Sequence, residues 1–519
     1  MSSILTNNSA MVALQTLKGI NKDLSDTQSM ISTGKSIASA KDNASVWAIS
    51  KVMEADVKGF NGIQDSLSLG ESTLSVAANA SETVTDLLTD IKGKIVAAQE
   101  SNVDREKIQT DIDALTDQIK SVVGAAQFNG LNLVQGTEDV NILSSLDRSS
   151  DGSVTASDIK VSRQDLTTSA GVAGTTALTG GVTAANYGTI TDSTGATATT
   201  TTPATGSTAQ IDFAGTAADG NVYTLNIEGY SVNYVADVSG GDDDDAIRDA
   251  IKGQINALGI DGLTATDGSG TGELVISNTN AFEDFDISIV QPSSGGTMNI
   301  SAINAETGLT STSGSIEQRA QTLDFDTSAG ISEGDTFKVT VGSSSFNYVA
   351  GKGETMEDVA KGLKTAIDSN PPDGVTTKTM YDEATGQWSL AVDDSTGGQA
   401  FSLAVTTGGE ASGGLFGLDN LDVSTNEGAS AALDNIETLI TNSIDAAANF
   451  GSAQGRIETQ KDFIEGLTDA LKSGIGTMVD ADMEEASARL QALQVQQQLG
   501  IQSLSIANQA PQSILSLFR

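Results

Sequence analysis

The sequence predicts a multidomain chain. It combines all-α, coiled-coil-like domains built from both termini with α+β domains made of two tandem β-β-α-β-β repeats. Three observations predict this. All six tyrosines lie between Tyr187 and Tyr381, and four of the five prolines lie between Pro203 and Pro372. Helix-breaking and strand-favouring residues therefore share one central span. Both ends carry apolar residues at helical spacing. The tetrapeptide Asn233-Tyr234-Val235-Ala236 recurs unchanged as Asn347-Tyr348-Val349-Ala350.

At the start, Leu17, Leu24 and Ile31 repeat every seven residues, with Met11 and Leu14 on an adjoining line, the seam of a coiled-coil-like helix within residues 1–41. Residues 42–174 hold two more helical runs. One carries Ile49, Met53, Phe60, Ile63, Leu67, Leu74, Val84, Leu88, Ile91 and Ile95. The next carries Ile108, Ile112, Leu115, Ile119 and Val122, with Asp104 and Glu106 where its first turn should be. Phe128-Asn129-Gly130 marks a turn.

Residues 175–210 are rich in Thr, Ala and Gly and nearly free of charge, which predicts a loop or linker. Module 1 follows at 211–291, a linker at 292–322, and module 2 at 323–415. Tyr223–Ile227 and Phe337–Val341 alternate apolar and polar as half-buried strands do. A short helix follows in each, on Ile247, Ile251 and Ile255 or on Val359, Leu363 and Ile367. Strand pairs come next: Leu274–Ser277 with Phe285–Val290, and Trp388–Val392 with Phe401–Val405.

Residues 416–475 return to helix along Ile457, Ile464, Leu467, Leu471 and Ile475. Residues 476–519 form the last helix, with Leu490, Leu493, Leu504 and Ile514 on a seven-residue grid and Leu517 near its end. Val495, Leu499 and Ile506 lie on another face. A helix apolar on more than one face needs more than one partner. The N-terminal helix covers one side, and packing between subunits is expected to cover the other. The candidate polymer-interface residues are Met11, Leu14, Leu17, Leu24, Ile31, Leu490, Leu493, Leu504, Ile514 and Leu517.

Composition narrows the function. The chain has 519 residues, no histidine, no cysteine and a formal charge of −41. Imidazole or thiolate zinc sites, Ser-His-Asp triads and cysteine nucleophiles are excluded. Such an acidic chain lacks the basic footprint for nucleic acid or anionic membranes. No run approaches a membrane span. The N-terminus lacks a basic region followed by an unbroken apolar run, so no Sec-type signal is expected.

No catalytic constellation or cofactor motif stands out, so no enzyme and no cofactor are expected. Asp242–Asp245 is the densest acidic run, and its first reading is as cap and first turn of the helix carrying Ile247. Asp147 to Asp158 places oxygen side chains as an EF-hand loop does, with Gly152 at position 6. Position 12 is Asp rather than Glu and the flanks look like strands, so an Asx-rich turn is the expected reading and no metal is assigned.

Four segments carry a family resemblance. Ser3-Ile4-Leu5-Thr6-Asn7-Asn8-Ser9-Ala10-Met11-Val12-Ala13-Leu14 resembles the opening of bacterial flagellins. Ile31-Ser32-Thr33-Gly34-Lys35-Ser36-Ile37-Ala38-Ser39-Ala40-Lys41-Asp42-Asn43-Ala44 is similar to their next motif. Phe128-Asn129-Gly130 is similar to their inner turn. Ala507-Asn508-Gln509-Ala510-Pro511-Gln512 through Phe518-Arg519 is similar to their C-terminus.

The resemblance implies a structural subunit of the swimming filament. Its terminal helices would form inner, channel-lining domains and its middle would point outward. It implies a homopolymer, hook-associated junction and cap proteins, a flagellar export apparatus and an export chaperone as partners. It also implies extracellular placement after unfolded export. Thr89-Asp90-Ile91-Lys92-Gly93-Lys94 stands where some relatives carry Q-R-V-R-E-L for an innate immune receptor, and Asp90 reverses a charge there. The competing readings are a hook–filament junction protein and an acidic secreted adhesin.

Overall fold

The computed structural model describes residues 7–149, 153–179, 183–191, 197–198, 200–201, 207–397 and 399–517. For 197–198, 200–201 and 510–517 it describes the backbone alone. The N-terminal part contains α1 (Asn8–Thr33), α2 (Ala44–Ala98), α3 (Arg105–Ala125), β1 (Gln127–Phe128), β2 (Leu131–Asn132), β3 (Val140–Arg148) and β4 (Val154–Val161). The middle begins with β5 (Thr176–Ala177), β6 (Gly188–Thr191), β7 (Thr197–Ala198) and β8 (Thr200–Thr201).

Module 1 follows as β9 (Ser207–Gly215), β10 (Val222–Ile227), β11 (Tyr230–Val235), α4 (Asp244–Leu258), β12 (Leu263–Asp267), β13 (Glu273–Asn278) and β14 (Phe285–Val290). After it come β15 (Gly296–Ile303), β16 (Glu306–Ser311) and β17 (Ser313–Ile316). Module 2 is β18 (Gln321–Phe325), β19 (Thr336–Val341), β20 (Ser344–Val349), α5 (Met356–Asp368), β21 (Val375–Asp382), β22 (Gln387–Asp394) and β23 (Phe401–Thr407). The chain closes with α6 (Asn426–Val479) and α7 (Met483–Leu517).

Two compact units result. Unit 1 holds Met1–Ser72, Val140–Val161 and Ser452–Arg519, and unit 2 holds Thr73–Asp139 and Ser162–Gly451. Unit 1 buries Phe60, Ile63, Leu67, Ile142, Ile457 and Ile464, so the apolar lines of the second and fourth helical runs form its core. The β3–β4 hairpin packs on α2 where glycines make room. A Cβ at Gly70 would stand 2.6 Å from Ile142 Cδ1, and one at Gly59 would stand 2.9 Å from Leu146 Cδ1. Gln460 Nε2 donates to Ser144 O at 2.9 Å, and Lys461 pairs with Glu71 at 2.8 Å.

The helical part of unit 2 buries Leu74, Val84, Leu88, Ile91, Ile95, Ile112, Ile119, Ile436 and Leu439. Asp104 caps α3 by accepting from Lys107 N–H at 3.3 Å, as its position before an apolar run predicts. Asn129 and Gly130 both take positive φ, 51° and 83°, which turns the chain tightly between β1 and β2.

Each module has two sheets and one helix. In module 1 the sheets run β12-β13-β9-β15-β16 and β11-β10-β14-β17. In module 2 they run β21-β22-β18-β6-β7 and β20-β19-β23-β5, with β8 also on β23. Ile247, Ile251 and Ile255 of α4 are buried in one core, and Val359, Leu363 and Ile367 of α5 in the other.

Two departures from the sequence reading follow. Each module has three strands on either side of its helix, because β9 and β18 precede the expected set and β12 and β21 follow the helix. The stretches expected as linkers also carry strands. Within 175–210, Tyr187 and Ile190 enter the core of module 2, where β6 pairs with β18. Within 292–322, Met298, Ile300 and Ile316 enter the core of module 1. Thr-rich, charge-poor sequence reads as linker by composition, yet β-branched residues suit a strand once an open sheet edge is available.

Candidate assembly interface

The ends of the chain meet in unit 1. Helices α1 and α7 lie antiparallel: Asn7 Nδ2 donates to Ala507 O at 2.8 Å, and Gln497 Nε2 donates to Asn21 Oδ1 at 2.7 Å. The less exposed positions of α1 are Ala10, Ala13, Leu17, Ile20, Leu24, Thr27, Met30 and Ile31. Those of α7 are Ala486, Leu490, Leu493, Gln497, Gly500, Leu504 and Ala507. Met30 apart, both sets alternate steps of three and four, so each helix keeps one seam toward the other. Gly500 lets the helices approach, since a Cβ there would stand 3.2 Å from Leu17 Cδ1.

The corner beside this pair accounts for the second family motif residue by residue. Gly34 takes φ 70° at the end of α1 and returns its N–H to Met30 O at 2.8 Å. Lys35 pairs with Glu54 at 3.5 Å. Ser36 donates its N–H to Val479 O at 2.7 Å and its hydroxyl to the same oxygen at 3.1 Å, while Ala481 N–H donates to Gly34 O at 3.0 Å. The turns α1–α2 and α6–α7 are thus bonded to each other.

Asp42 accepts from Ser39 N–H and Ala38 N–H at 2.9 and 3.1 Å. The bonds from Ser39 hold its carboxyl below the usual range. Asn43 accepts from Ser45 and Val46 N–H and opens α2; Asp482 does the same for Glu484 and Glu485 at α7.

The structure divides the candidate interface residues. Leu17, Leu24, Ile31, Leu490, Leu493 and Leu504 sit in the α1–α7 seam, where the heptad line packs within the chain. Met11 and Leu14 lie outside it, exposed by 63% and 43%. The side chains of Ile514 and Leu517 lie outside the described residues.

What remains bare is a second set. Val12, Val495, Leu499, Ile501 and Ile506 are all more than half exposed. The bare residues of α7, Val495, Leu499, Ile501 and Ile506, lie outside the candidate set. Their signal was the second apolar face already visible in the sequence.

The other candidates resolve locally. Asp243 caps α4 by accepting from Ala246 N–H at 2.9 Å, and Asp245 accepts from Arg248 Nη1 at 2.7 Å. Asp242 accepts from Tyr234 Oη at 2.8 Å. The acidic run is thus used in capping and pairing. In the EF-like stretch, Asp147 stands opposite Thr155 and Asp158 opposite Leu143 on one hairpin ladder. Extended backbone carries Asp158 away from the loop tip, and Ser150, Asp151 and Gly152 lie outside the described residues. In Thr89–Lys94, Ile91 is buried, Lys92 pairs with Glu437, and Lys94 pairs with Asp111 at 2.5 Å.

Two ends that zip together and leave apolar faces in water define a self-assembling structural protein. The comparisons identify which kind. Residues 4–139 match the bacterial flagellin N-terminal helical region, and residues 433–518 match the bacterial flagellin C-terminal helical region. A flagellin A of Rhizobium meliloti (strain 1021) is 31% identical over 526 residues, covering all of both chains. Flagellin FljK of Caulobacter vibrioides is 42% identical over 140 residues, covering 26% of this chain and 51% of that one.

Among solved structures, flagellar hook-associated protein 3 of Legionella pneumophila covers 82% of this chain and 98% of its own at 9% identity. Its TM-score is 0.31. The chain belongs to the bacterial flagellin family. It is a structural subunit of the flagellar filament.

Proposed function

We propose that the exposed apolar residues beside the α1–α7 seam are the surface through which subunits polymerise. The observation that carries this is the stripe Met11, Val12, Leu14, Val495, Leu499, Ile501 and Ile506, left in water after the seam is filled. Fully burying one such side chain contributes about 1.5–3 kcal/mol, so a few per contact suffice to drive assembly. Ile514 and Leu517 belong to the same proposal by their spacing. The terminal helices then line the filament interior, and the two modules, read as tandem copies of one design, face outward.

Self-association through an exposed apolar stripe needs no cofactor and no catalysis. A chain without cysteine suits unfolded export through a channel, with an export chaperone guarding the stripe before assembly and junction and cap proteins meeting it at the filament ends. Ile506→Asp and Val495→Asp test the surface. Both are expected to leave the helical content of the monomer unchanged and to abolish filaments seen by negative-stain microscopy. Filaments at wild-type yield from either variant would refute the proposal.

A further inference from the structure

Acidic residues outnumber Lys and Arg by 68 to 27, so a half-buried cation without a partner is unexpected in this chain. Arg163 is such a cation. Its Nε is enclosed, and among the described residues its guanidinium makes no hydrogen bond and no ion pair. The other described arginines differ. Arg148, Arg248 and Arg319 pair with Asp56, Asp245 and Asp393. Arg105 donates to Ala98 O at 2.7 Å, and Arg456 and Arg489 are exposed. The acids closest to Arg163 in sequence are engaged elsewhere. Asp139 accepts from Lys352 Nζ at 2.6 Å and from Ser162 Oγ at 2.8 Å, and Asp165 accepts from Thr167 N–H at 2.9 Å.

A guanidinium keeps its charge at any accessible pH, so it cannot relieve the cost of enclosure by losing a proton. An enclosed polar group that the chain does not satisfy calls for an acceptor from outside it. The loop between β2 and β3 supplies more donors beside it. Val134 is held at both ends: its N–H donates to Asn132 Oδ1 at 2.9 Å, and its C=O accepts from Leu166 N–H at 3.0 Å. Gly136 then takes φ 78° and passes so close that a Cβ there would stand 3.3 Å from Arg163 Nη1. The N–H groups of Gln135, Gly136 and Thr137, all half-buried, have no acceptor among the described residues.

We propose that Arg163 and the backbone of Gln135, Gly136 and Thr137 form a binding site for one compact oxyanion of the phosphate class. Successive free N–H groups around a positive-φ residue make a concavity suited to an anion. The flat guanidinium fork offers paired donors that match two oxygens of one ion. The folded chain alone brings the two sets of donors together. A bound ion therefore stabilises the fold, and the gain grows with the logarithm of its concentration above saturation. No residue of the assembly stripe takes part.

Melting the full-length monomer in potassium phosphate and in potassium chloride of equal ionic strength tests the site. Phosphate also stabilises proteins by exclusion from their surface, so Arg163→Met sets the baseline. The wild type is expected to gain more in melting temperature from phosphate than Arg163→Met does. A phosphorus NMR titration should show saturable broadening, one ion per chain, that this variant lacks. In chloride Arg163→Met should melt no lower than the wild type, since it removes a charge that nothing in the chain pairs. Arg163→Lys keeps the charge without the fork and should lose most of the phosphate gain. Equal phosphate gains in the wild type and Arg163→Met would overturn the site. So would an Arg163→Met protein that melts well below the wild type in chloride, because Arg163 would then be satisfied by the chain itself.

Discussion

Glu354 shows how one side chain carries the environment of its module. It sits just before α5 and accepts from Tyr348 Oη at 2.9 Å. Burial pushes its carboxyl up to about 7, aided by the nearby Asp358 and opposed by Gly351 N–H and Tyr348. The folded module keeps a proton that the unfolded chain releases above its ordinary value of 4.5. The stability this adds is full below that value and is lost as pH rises through about 7. Glu354→Gln should therefore melt like the wild type at acid pH and above it in mildly alkaline buffer. An equal melting difference in both buffers would disprove the assignment. Its counterpart pair in module 1, Tyr234 with Asp242, is matched in chemistry and less enclosed. The sequence repeat marked both tyrosines; burial, which separates them, came from packing. Gly362 is a related case: a Cβ there would stand 2.4 Å from the Tyr348 ring, so a mid-helix glycine marks a close ring contact.

At the scale of elements, the α1–α7 pair separates two roles that one heptad pattern had merged. Leu493 is 7% exposed within the seam, whereas Val495 is 57% exposed two positions on. Leu493→Ala should cost about 2–5 kcal/mol, typical of a buried leucine, and lower monomer helicity and thermal stability as well as polymerisation. Circular dichroism of the monomer distinguishes it from the stripe variants, which affect assembly alone. Unchanged monomer melting would show that the seam is not formed before assembly. Periodicity had identified the helices and their apolar lines, because burial imposes a 3.6-residue repeat on any packed helix. It could not say which line meets a helix of the same chain, since both partners demand the same residue types.

At the scale of the whole molecule, the two modules can be removed at a natural join. Val172 and Glu410 pair as an antiparallel bridge, with N–H to O distances of 3.0 and 2.8 Å in the two directions. Deleting 174–408 leaves two residues, Ala173 and Gly409, to link these neighbours, so the helical ends should still fold and polymerise. Sedimentation and negative-stain microscopy check this, and complete loss of self-association would contradict the assembly surface. The charge of −41 acts at the same scale. Repeated along a polymer, it is expected to keep like filaments apart at low salt, and charge-neutralised variants that bundle no more than wild type would refute this.

Helical ends, a β-rich middle and the family were legible in the order of residues. Each leaves a periodic or motif-level trace, and Gly34, Asp42 and Asn43 showed in the motif before their bonds were known. The roles of 175–210 and 292–322 were not legible. A strand added to a sheet edge is specified by the edge that receives it, and that edge lies far away in the chain. The same holds for the stripe. Whether an apolar side chain is core or contact depends on which other surfaces the fold has already covered, and that is a property of the assembled three dimensions.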